Sequence, residues 1–129
     1  MQELRLKRIK FSKEADSWLR VLKSRTGITP NILCRLAFCL SLEEPRIPSG
    51  DKYLEDSDRE INRFTLLGEY DALFVALLRQ RVANDGGGKS DLDRLFRAHV
   101  HRGILLLAAR LKHLGDLGDD LMRGAVSNS

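Results

Sequence analysis

The chain has 129 residues, of which 43% are apolar and 31% are charged. This length fits one compact domain, and an apolar fraction near the globular average excludes a chain that is disordered throughout. No apolar run approaches the about 20 residues of a membrane-spanning helix, and residues 1–10 lack the apolar stretch of a secretory signal. We therefore expect a cytoplasmic protein that does not enter the membrane.

The positive charge is concentrated near the amino terminus. The net charge is +4, yet residues 1–42 contain nine Lys and Arg against three Asp and Glu, and residues 43–82 are net acidic. A localised basic surface attracts polyanions such as nucleic acid. The charge distribution leaves two interpretations open, a nucleic-acid contact and an ordinary solvated surface.

Cys34 and Cys39 are the two cysteines of the chain. They lie five residues apart in a predicted helix, where they point about 140° from each other and cannot form a disulfide together. No framework of spaced cysteines exists, so the pattern indicates a reducing compartment and two small buried apolar residues.

An alternating pattern and several capping residues mark the limits of the amino-terminal elements. Apolar and basic residues alternate imperfectly over residues 4–11, which predicts a short strand or extended arm. Ser12 then suits a helix N-cap, and Gly27 supplies the left-handed residue that ends a helix. A second helix begins at Thr29-Pro30, because Thr caps helices and Pro is favoured in their first turn. This second helix is apolar on most sides, which is typical of a core or of a subunit interface.

The rest of the chain alternates polar linkers with longer helices. Residues 43–58 have the composition of a long loop, in which a third short helix begins near Ser57. An apolar series at i, i+3 and i+4 predicts a helix from Leu67 to Val82. A final helix is predicted from Asp91 to Leu114, with Ser90 as its cap.

Together these elements predict an all-α fold, a compact single-domain bundle of about five helices with a short N-terminal extended arm or strand. We place the domain at residues 1–115 and expect the tail, residues 116–129, to fray. A strand, a helix, a turn and a helix in this order also occur at the start of ribbon-helix-helix DNA-binding proteins.

Three candidate chemical sites fail on their spacing. Residues 88–90 (GKS) resemble the end of a phosphate-binding loop, but that motif needs a glycine where this chain has Ala83. His99 and His101 are two apart, whereas helical zinc pairs are four apart, and His99 suits a hydrogen-bonded core residue. No nucleophile and base lie at a catalytic spacing. We predict no metal, no cofactor and no enzymatic activity.

Basic residues near two helix ends support the remaining hypothesis, a contact with DNA. Freed backbone N–H groups at a helix start, with lysines nearby, bind phosphate oxygens without reading sequence. Few exposed aromatic residues accompany them, so stacking on single-stranded bases is not indicated. The predicted DNA-binding residues are Lys7, Arg8, Lys10, Lys13, Lys23, Arg25, Thr29 and Asn31.

Three segments of the sequence occur in an order that is typical of one protein family. They are LKSRTGITPNIL at residues 22–33, which continues to Leu42, NRFTLLGEYDALF at residues 62–74, which continues to Arg79, and FRAHVHRG at residues 96–103. These segments resemble the DndE family of DNA sulfur modification proteins. The resemblance covers residues 8–114 and leaves out the beginning of the arm and the tail.

The resemblance implies a place in the machinery that replaces a non-bridging phosphate oxygen of DNA with sulfur. It implies a non-enzymatic component that binds double-stranded DNA, associates with nicked duplex and assembles as a homotetramer. The implied partners are a cysteine desulfurase, an ATP-pyrophosphatase-like iron–sulfur protein and an SMC-like ATPase. By position, Lys13, Lys23 and Arg25 are the residues to which the family's DNA contact transfers.

Two other functions stay open on the residues themselves. One is an adaptor that binds partner proteins and carries its positive charge incidentally. The other is a transcriptional regulator of the ribbon-helix-helix kind, although the two long predicted helices in the second half of the chain weigh against a minimal repressor.

Overall fold

The computed structural model describes residues 3–87 and 90–127, with its side chains described up to residue 113. The predicted all-α fold with a short amino-terminal strand is confirmed. In chain order the elements are β1 (Arg8–Lys10), α1 (Lys13–Thr26), α2 (Pro30–Glu43), β2 (Glu60–Asn62), α3 (Arg63–Leu67), α4 (Asp71–Asn84) and α5 (Leu92–Ser127), with a short 3-10 turn at Gly68–Tyr70 between α3 and α4. The central helix is α2, which packs against α1, α3 and α5.

The strands β1 and β2 form a two-stranded antiparallel ribbon. Ile9 pairs with Ile61, and both side chains are buried beneath the ribbon. Arg8 and Lys10 alternate with Ile9, so they point to the outer side, where both are exposed. The ribbon therefore fastens the arm to the core through one isoleucine pair and presents its cations to solvent.

The boundaries of α1 are those that its sequence predicts. The Ser12 hydroxyl accepts a hydrogen bond from the Ala15 N–H (3.1 Å), and Gly27 ends the helix at φ 74°. Ala15, Leu19 and Leu22 form the buried stripe. The capping residues and the buried stripe define the same helix, so interactions between residues close in sequence are sufficient to specify it.

The helix α2 begins at Pro30 as predicted, and it is not buried on all of its apolar sides. Leu36 is 47% exposed, because α5 packs on the Ala37 side. The prediction of two buried cysteines holds for Cys34 and is wrong for Cys39, which is exposed. Burial raises the pKa of the Cys34 thiol to about 12, so this thiol stays protonated near neutral pH.

The middle of the chain differs from two predictions. The short helix expected near Ser57 is absent from the described residues, because Ser57 lies in the loop and its hydroxyl donates to the Phe11 carbonyl (2.7 Å). The helix expected from Leu67 to Val82 is divided at Gly68, which has φ 52°. A separate five-residue helix, α3, precedes that turn, and α4 follows it.

The last helix begins one residue later than predicted and with a different cap. Asp91 accepts a hydrogen bond from the Arg94 N–H (3.2 Å), whereas the Ser90 hydroxyl donates to the Gly87 carbonyl (3.3 Å). The helix continues past the predicted end at Leu114 to Ser127. Side chains beyond residue 113 lie outside the described part, so the domain limit at residue 115 and the frayed tail remain predictions.

Two histidines are buried inside the fold. His99 is 1% exposed and its Nδ1 lies 2.9 Å from the Ser41 hydroxyl, which confirms the predicted hydrogen-bonded core residue. His101 Nε2 accepts from the Ser12 N–H (3.2 Å), and its Nδ1 lies 2.9 Å from the Arg97 carbonyl. Burial lowers the pKa of each imidazole to about 4, so both are neutral at physiological pH.

Candidate nucleic-acid interface

Three of the predicted cations lie on β1 or directly before it. Lys7, Arg8 and Lys10 are exposed. Arg8 lies 3.5 Å from the Glu60 carboxylate on β2, and 58% of its side chain remains accessible. An exposed pair of this kind contributes little stability, so Arg8 can exchange this partner for a phosphate at small cost.

The helix α1 carries further exposed cations. Lys13 and Lys23 are exposed, and they lie about 15 Å apart along the helix axis and about 80° apart around it. Arg20 stands between them with 72% of its side chain accessible, paired with Asp16 at 3.1 Å. Sequence reasoning missed Arg20 as a site residue, although its place off the apolar stripe of α1 was the available signal.

Arg25 lies away from these cations, although it is close to Lys23 in sequence. Helix geometry turns Arg25 about 160° from Lys23 and about 140° from Arg20. As a cation in the last turn, it interacts favourably with the helix dipole. The structure thus brings Lys13, Arg20 and Lys23 to one side of α1 and leaves Arg25 on another.

A chain of hydrogen bonds connects the start of α2 with the ribbon. The Thr29 hydroxyl donates to Asn31 Oδ1 (2.5 Å), and Asn31 Nδ2 donates to the Thr65 carbonyl (3.3 Å). The Thr65 N–H donates to Asn62 Oδ1 (2.7 Å), and Asn62 pairs with Arg8 across the ribbon. These hydrogen bonds bring the first turn of α2 near the Arg8 end of the ribbon. The Thr29 side chain does not cap α2, so the first N–H groups of the helix receive no capping oxygen from it.

Several arginines elsewhere serve the interior instead of the surface. Arg97 donates to the Lys10, Tyr53 and Leu54 carbonyls at 2.9, 2.5 and 2.5 Å. Arg81 is 9% exposed and donates to the Leu42 carbonyl at the end of α2 (2.8 Å). These guanidinium groups fasten the long loop between α2 and β2 to the helices, so their donors are engaged within the fold.

Two further arginines are bound to carboxylates. Arg59 Nε lies 2.5 Å from Asp16 Oδ1, and Arg63 holds both oxygens of Asp71 at 2.7 and 2.8 Å. In each pair the hydrogen bond from arginine lowers the pKa of the carboxyl below its ordinary value. Asp16 is also bound to Arg20, so one carboxylate holds two guanidinium groups beside the exposed cations of α1.

Other site chemistry receives little support. Among residues 3–87 and 90–113, no three His, Cys, Asp or Glu side chains are placed to hold a metal ion together. Within the described part of the chain, no helix combines the length and the apolar composition needed to cross a bilayer. Residues 88 and 89 of the candidate phosphate loop lie outside the described residues.

Comparisons with known proteins agree with the resemblance in the sequence. The model of the DndE family, described as DNA sulphur modification protein DndE, matches residues 8–114. No curated protein matches the chain. The chain is 31% identical to DndE from Escherichia coli B7A, a protein involved in DNA phosphorothioation modification, over 82% of this chain and 99% of that one, with a TM-score of 0.68.

A second solved structure is a glycine-to-lysine mutant of DndE involved in DNA phosphorothioation. It is 30% identical over 80% of this chain and 97% of that one, with a TM-score of 0.60. The family model covers most of the chain, and both solved structures are matched over nearly their whole length. The chain therefore belongs to the DndE family of the DNA phosphorothioation system.

Proposed function

We propose that this chain is a non-enzymatic, cytoplasmic component of DNA phosphorothioation that holds the backbone of double-stranded DNA. The contact surface, called here the basic face, consists of Lys7, Arg8, Lys10, Lys13, Arg20 and Lys23. Phosphate contacts of this kind position a protein on the duplex without selecting a sequence.

One observation carries the proposal: these six cations are exposed, three of them on β1 or directly before it and three within about 80° of one another on α1. By contrast, Arg59, Arg63, Arg81 and Arg97 are engaged by carboxylates or carbonyls within the fold. The start of α2, with Thr29 and Asn31, adds N–H groups near the Arg8 end of the ribbon. A surface with this charge favours a polyanion over a protein partner.

An exposed apolar surface supports self-association. Ile32 and Leu36 on α2 are 36% and 47% exposed, Phe64 on α3 is 84% exposed, and Tyr70 and Leu73 are 45% and 55% exposed. Arg35 links these elements, since it lies 5.5 Å from the Tyr70 ring and donates to carbonyls of α3. Within the proposal, this surface forms the contact between copies of a homotetramer, and repetition of the basic face multiplies a modest affinity for DNA.

A preference for nicked duplex belongs to the same proposal. DNA that bends over several copies of the basic face pays a deformation energy, and a nick supplies a flexible joint that lowers it. Equal affinity for intact and nicked duplexes of one sequence would contradict this part.

Fluorescence anisotropy of a labelled duplex, titrated from 50 to 200 mM salt, tests the DNA contact. Six phosphate contacts correspond to a slope of about −5 in a plot of log affinity against log salt. A triple Lys7→Ala, Lys10→Ala, Lys13→Ala variant should reduce this slope by about 3, whereas Lys112→Ala, an exposed lysine on α5, should leave it unchanged.

The absence of binding at 50 mM salt would favour the second candidate, an adaptor. Such an adaptor would join the cysteine desulfurase, the ATP-pyrophosphatase-like iron–sulfur protein and the SMC-like ATPase of the system. The exposed apolar surface is the observation that favours it. A preference above about a thousandfold for one operator sequence would instead favour a ribbon-helix-helix regulator.

A further inference from the structure

An aspartate lies among the exposed cations of α1. Helix geometry places Asp16 about 40° from Arg20 and about 20° from Lys23 around the helix axis, within the arc of about 80° that runs from Lys13 to Lys23. A phosphate that approaches these cations therefore also approaches a carboxylate, and like charges repel each other at this range. DNA can bind well to this side of α1 only if the charge of Asp16 is neutralised.

Asp16 has two guanidinium partners that differ in their exposure. Arg59 Nε lies 2.5 Å from Asp16 Oδ1, and the two side chains are 25% and 14% exposed. Arg20 Nη2 lies 3.1 Å from Asp16 Oδ2, but 72% of the Arg20 side chain is exposed. Water and salt screen a partly buried pair less than an exposed one, so Arg59 is the stronger partner of Asp16.

The charges of these three side chains do not cancel. Two guanidinium groups and one carboxylate leave a net charge of +1, and Arg20 is the member that extends into solvent. The hydrogen bond from Arg59 is the main reason that the pKa of Asp16 lies below its ordinary value, so this carboxyl is ionised at neutral pH. Because Arg59 already compensates that charge, Arg20 can exchange the carboxylate for a phosphate at small cost.

Without Arg59 the same exchange would be unfavourable. Arg20 and Asp16 would then form a pair with no net charge, and a phosphate that bound Arg20 would leave the carboxylate uncompensated beside it. We propose that Arg59 is a positioning residue for the DNA contact, which neutralises Asp16 so that Arg20 can bind phosphate. This inference rests on the proposed function, since it gives Arg59 a part in the same contact.

Two substitutions of Arg59 test its role in the anisotropy titration of a labelled duplex. Arg59→Gln removes the charge but retains a side-chain amide that can donate to Asp16. It should weaken duplex binding severalfold and reduce the salt slope by about 1, because the Arg20 contact is lost. Arg59→Lys retains a positive charge, so it should restore binding to within about twofold of the unsubstituted protein.

A substitution of Asp16 separates this role from the general effect of charge. Asp16→Asn removes the carboxylate that Arg59 neutralises, so adding Arg59→Gln to it should change the affinity by less than about twofold. If Arg59 acted only through the overall field of the protein, Arg59→Gln would weaken binding equally with and without Asp16→Asn. If the ion pair served the fold alone, Asp16→Asn would weaken binding as Arg59→Gln does.

The fold should tolerate these substitutions, because the backbone bonds of Arg59 do not involve its side chain. The Arg59 carbonyl accepts from the Phe11 N–H (3.2 Å), and the Arg59 N–H donates to the Ser57 hydroxyl (3.2 Å). Circular dichroism checks the helix content of each variant. The comparison of Asp16→Asn with the double variant leaves no carboxylate unpaired, so it decides the question even if Arg59→Gln alone unfolds.

Two results would overturn the inference. One is an equal affinity of Arg59→Gln and the unsubstituted protein, and the other is a double variant that binds severalfold more weakly than Asp16→Asn. Both leave the proposed function intact, since the unsubstituted protein then still shows its salt slope of about −5. If the unsubstituted protein binds no duplex at low salt, the proposed function and this inference are both wrong.

Discussion

Gly103 on α5 lies directly against the backbone of Ala37 on α2. A Cβ atom at residue 103 would overlap the Ala37 carbonyl group, whose backbone atoms cannot move aside. This close approach lets the two central helices of the fold cross in contact, and it buries His99 one turn before Gly103 and Phe38 one residue after Ala37.

Gly103→Ala should therefore destabilise the protein by about 1–3 kcal/mol, the usual range for overpacking a core. In a helix position with free space, the same substitution stabilises by about 0.4–1 kcal/mol, so the sign of the change is diagnostic. Urea unfolding followed by circular dichroism measures it. Ala109→Ser, at an exposed position of α5, is the control and should change the free energy of unfolding by less than about 0.5 kcal/mol.

The buried histidines should make stability depend on pH. His99 and His101 have pKa values of about 4 in the folded protein and an ordinary value of 6.5 when exposed, because burial disfavours their charged forms. Between these pH values the unfolded chain binds more protons than the folded one. The free energy of unfolding should thus fall as pH falls from about 6.5 to 4, by at most about 3 kcal/mol for each histidine.

Urea titrations at pH 7 and pH 4.5 measure this loss. In His99→Asn the amide retains a hydrogen-bonding group near the Ser41 hydroxyl but cannot titrate, so the difference between the two pH values should shrink by about half. Asp16 and Asp71 have lowered pKa values, so their contributions are lost only below the ordinary carboxyl value of 3.8, outside this interval. If His99→Asn has the same pH dependence as the unsubstituted protein, protonation of His99 does not cause the loss of stability.

Arg20 and Arg25 should differ in their effect on DNA binding, although both are exposed arginines of α1. Arg20 lies on the basic face between Lys13 and Lys23, whereas Arg25 points about 140° from it. Arg20→Ala should weaken duplex binding severalfold and reduce the salt slope by about 1. Arg25→Ala should leave the slope unchanged in the same anisotropy titration. If both variants lose affinity equally, the DNA contact extends around α1 to Arg25, and the basic face as defined above is wrong.

Phe64 should matter for assembly more than for folding, because 84% of its surface is exposed. Phe64→Ser removes apolar area from the surface proposed to join copies of the chain, so the mass in solution should decrease at micromolar concentration. Light scattering after size-exclusion chromatography measures that mass. Leu54→Ser is a matched control, because Leu54 is 64% exposed on the loop before β2 and away from this surface. A mass that Phe64→Ser leaves unchanged would place the subunit contact elsewhere.

The sequence alone determined where α1 begins and ends and where α2 begins. The caps at Ser12 and Gly27 and the start at Pro30 each depend on residues within one helical turn, so no distant contact is needed to specify them. The family was also evident from the residues, since its segments occur in order over most of the chain. The exposure of the lysines in the candidate site was also predictable from the sequence, because a lysine without a buried partner remains in solvent.

Only the tertiary structure decided the remaining features, since each depends on residues that are far apart in the chain. Ile61 forms a strand and not a helix because Ile9 lies opposite it. The helix divides at Gly68 where Arg35 of α2 donates to the Leu66 carbonyl (2.6 Å). Whether an arginine serves the surface, as Arg20 does, or the interior, as Arg97 does, follows from which carbonyls and carboxylates the packed helices bring to it, and local sequence does not encode that neighbourhood.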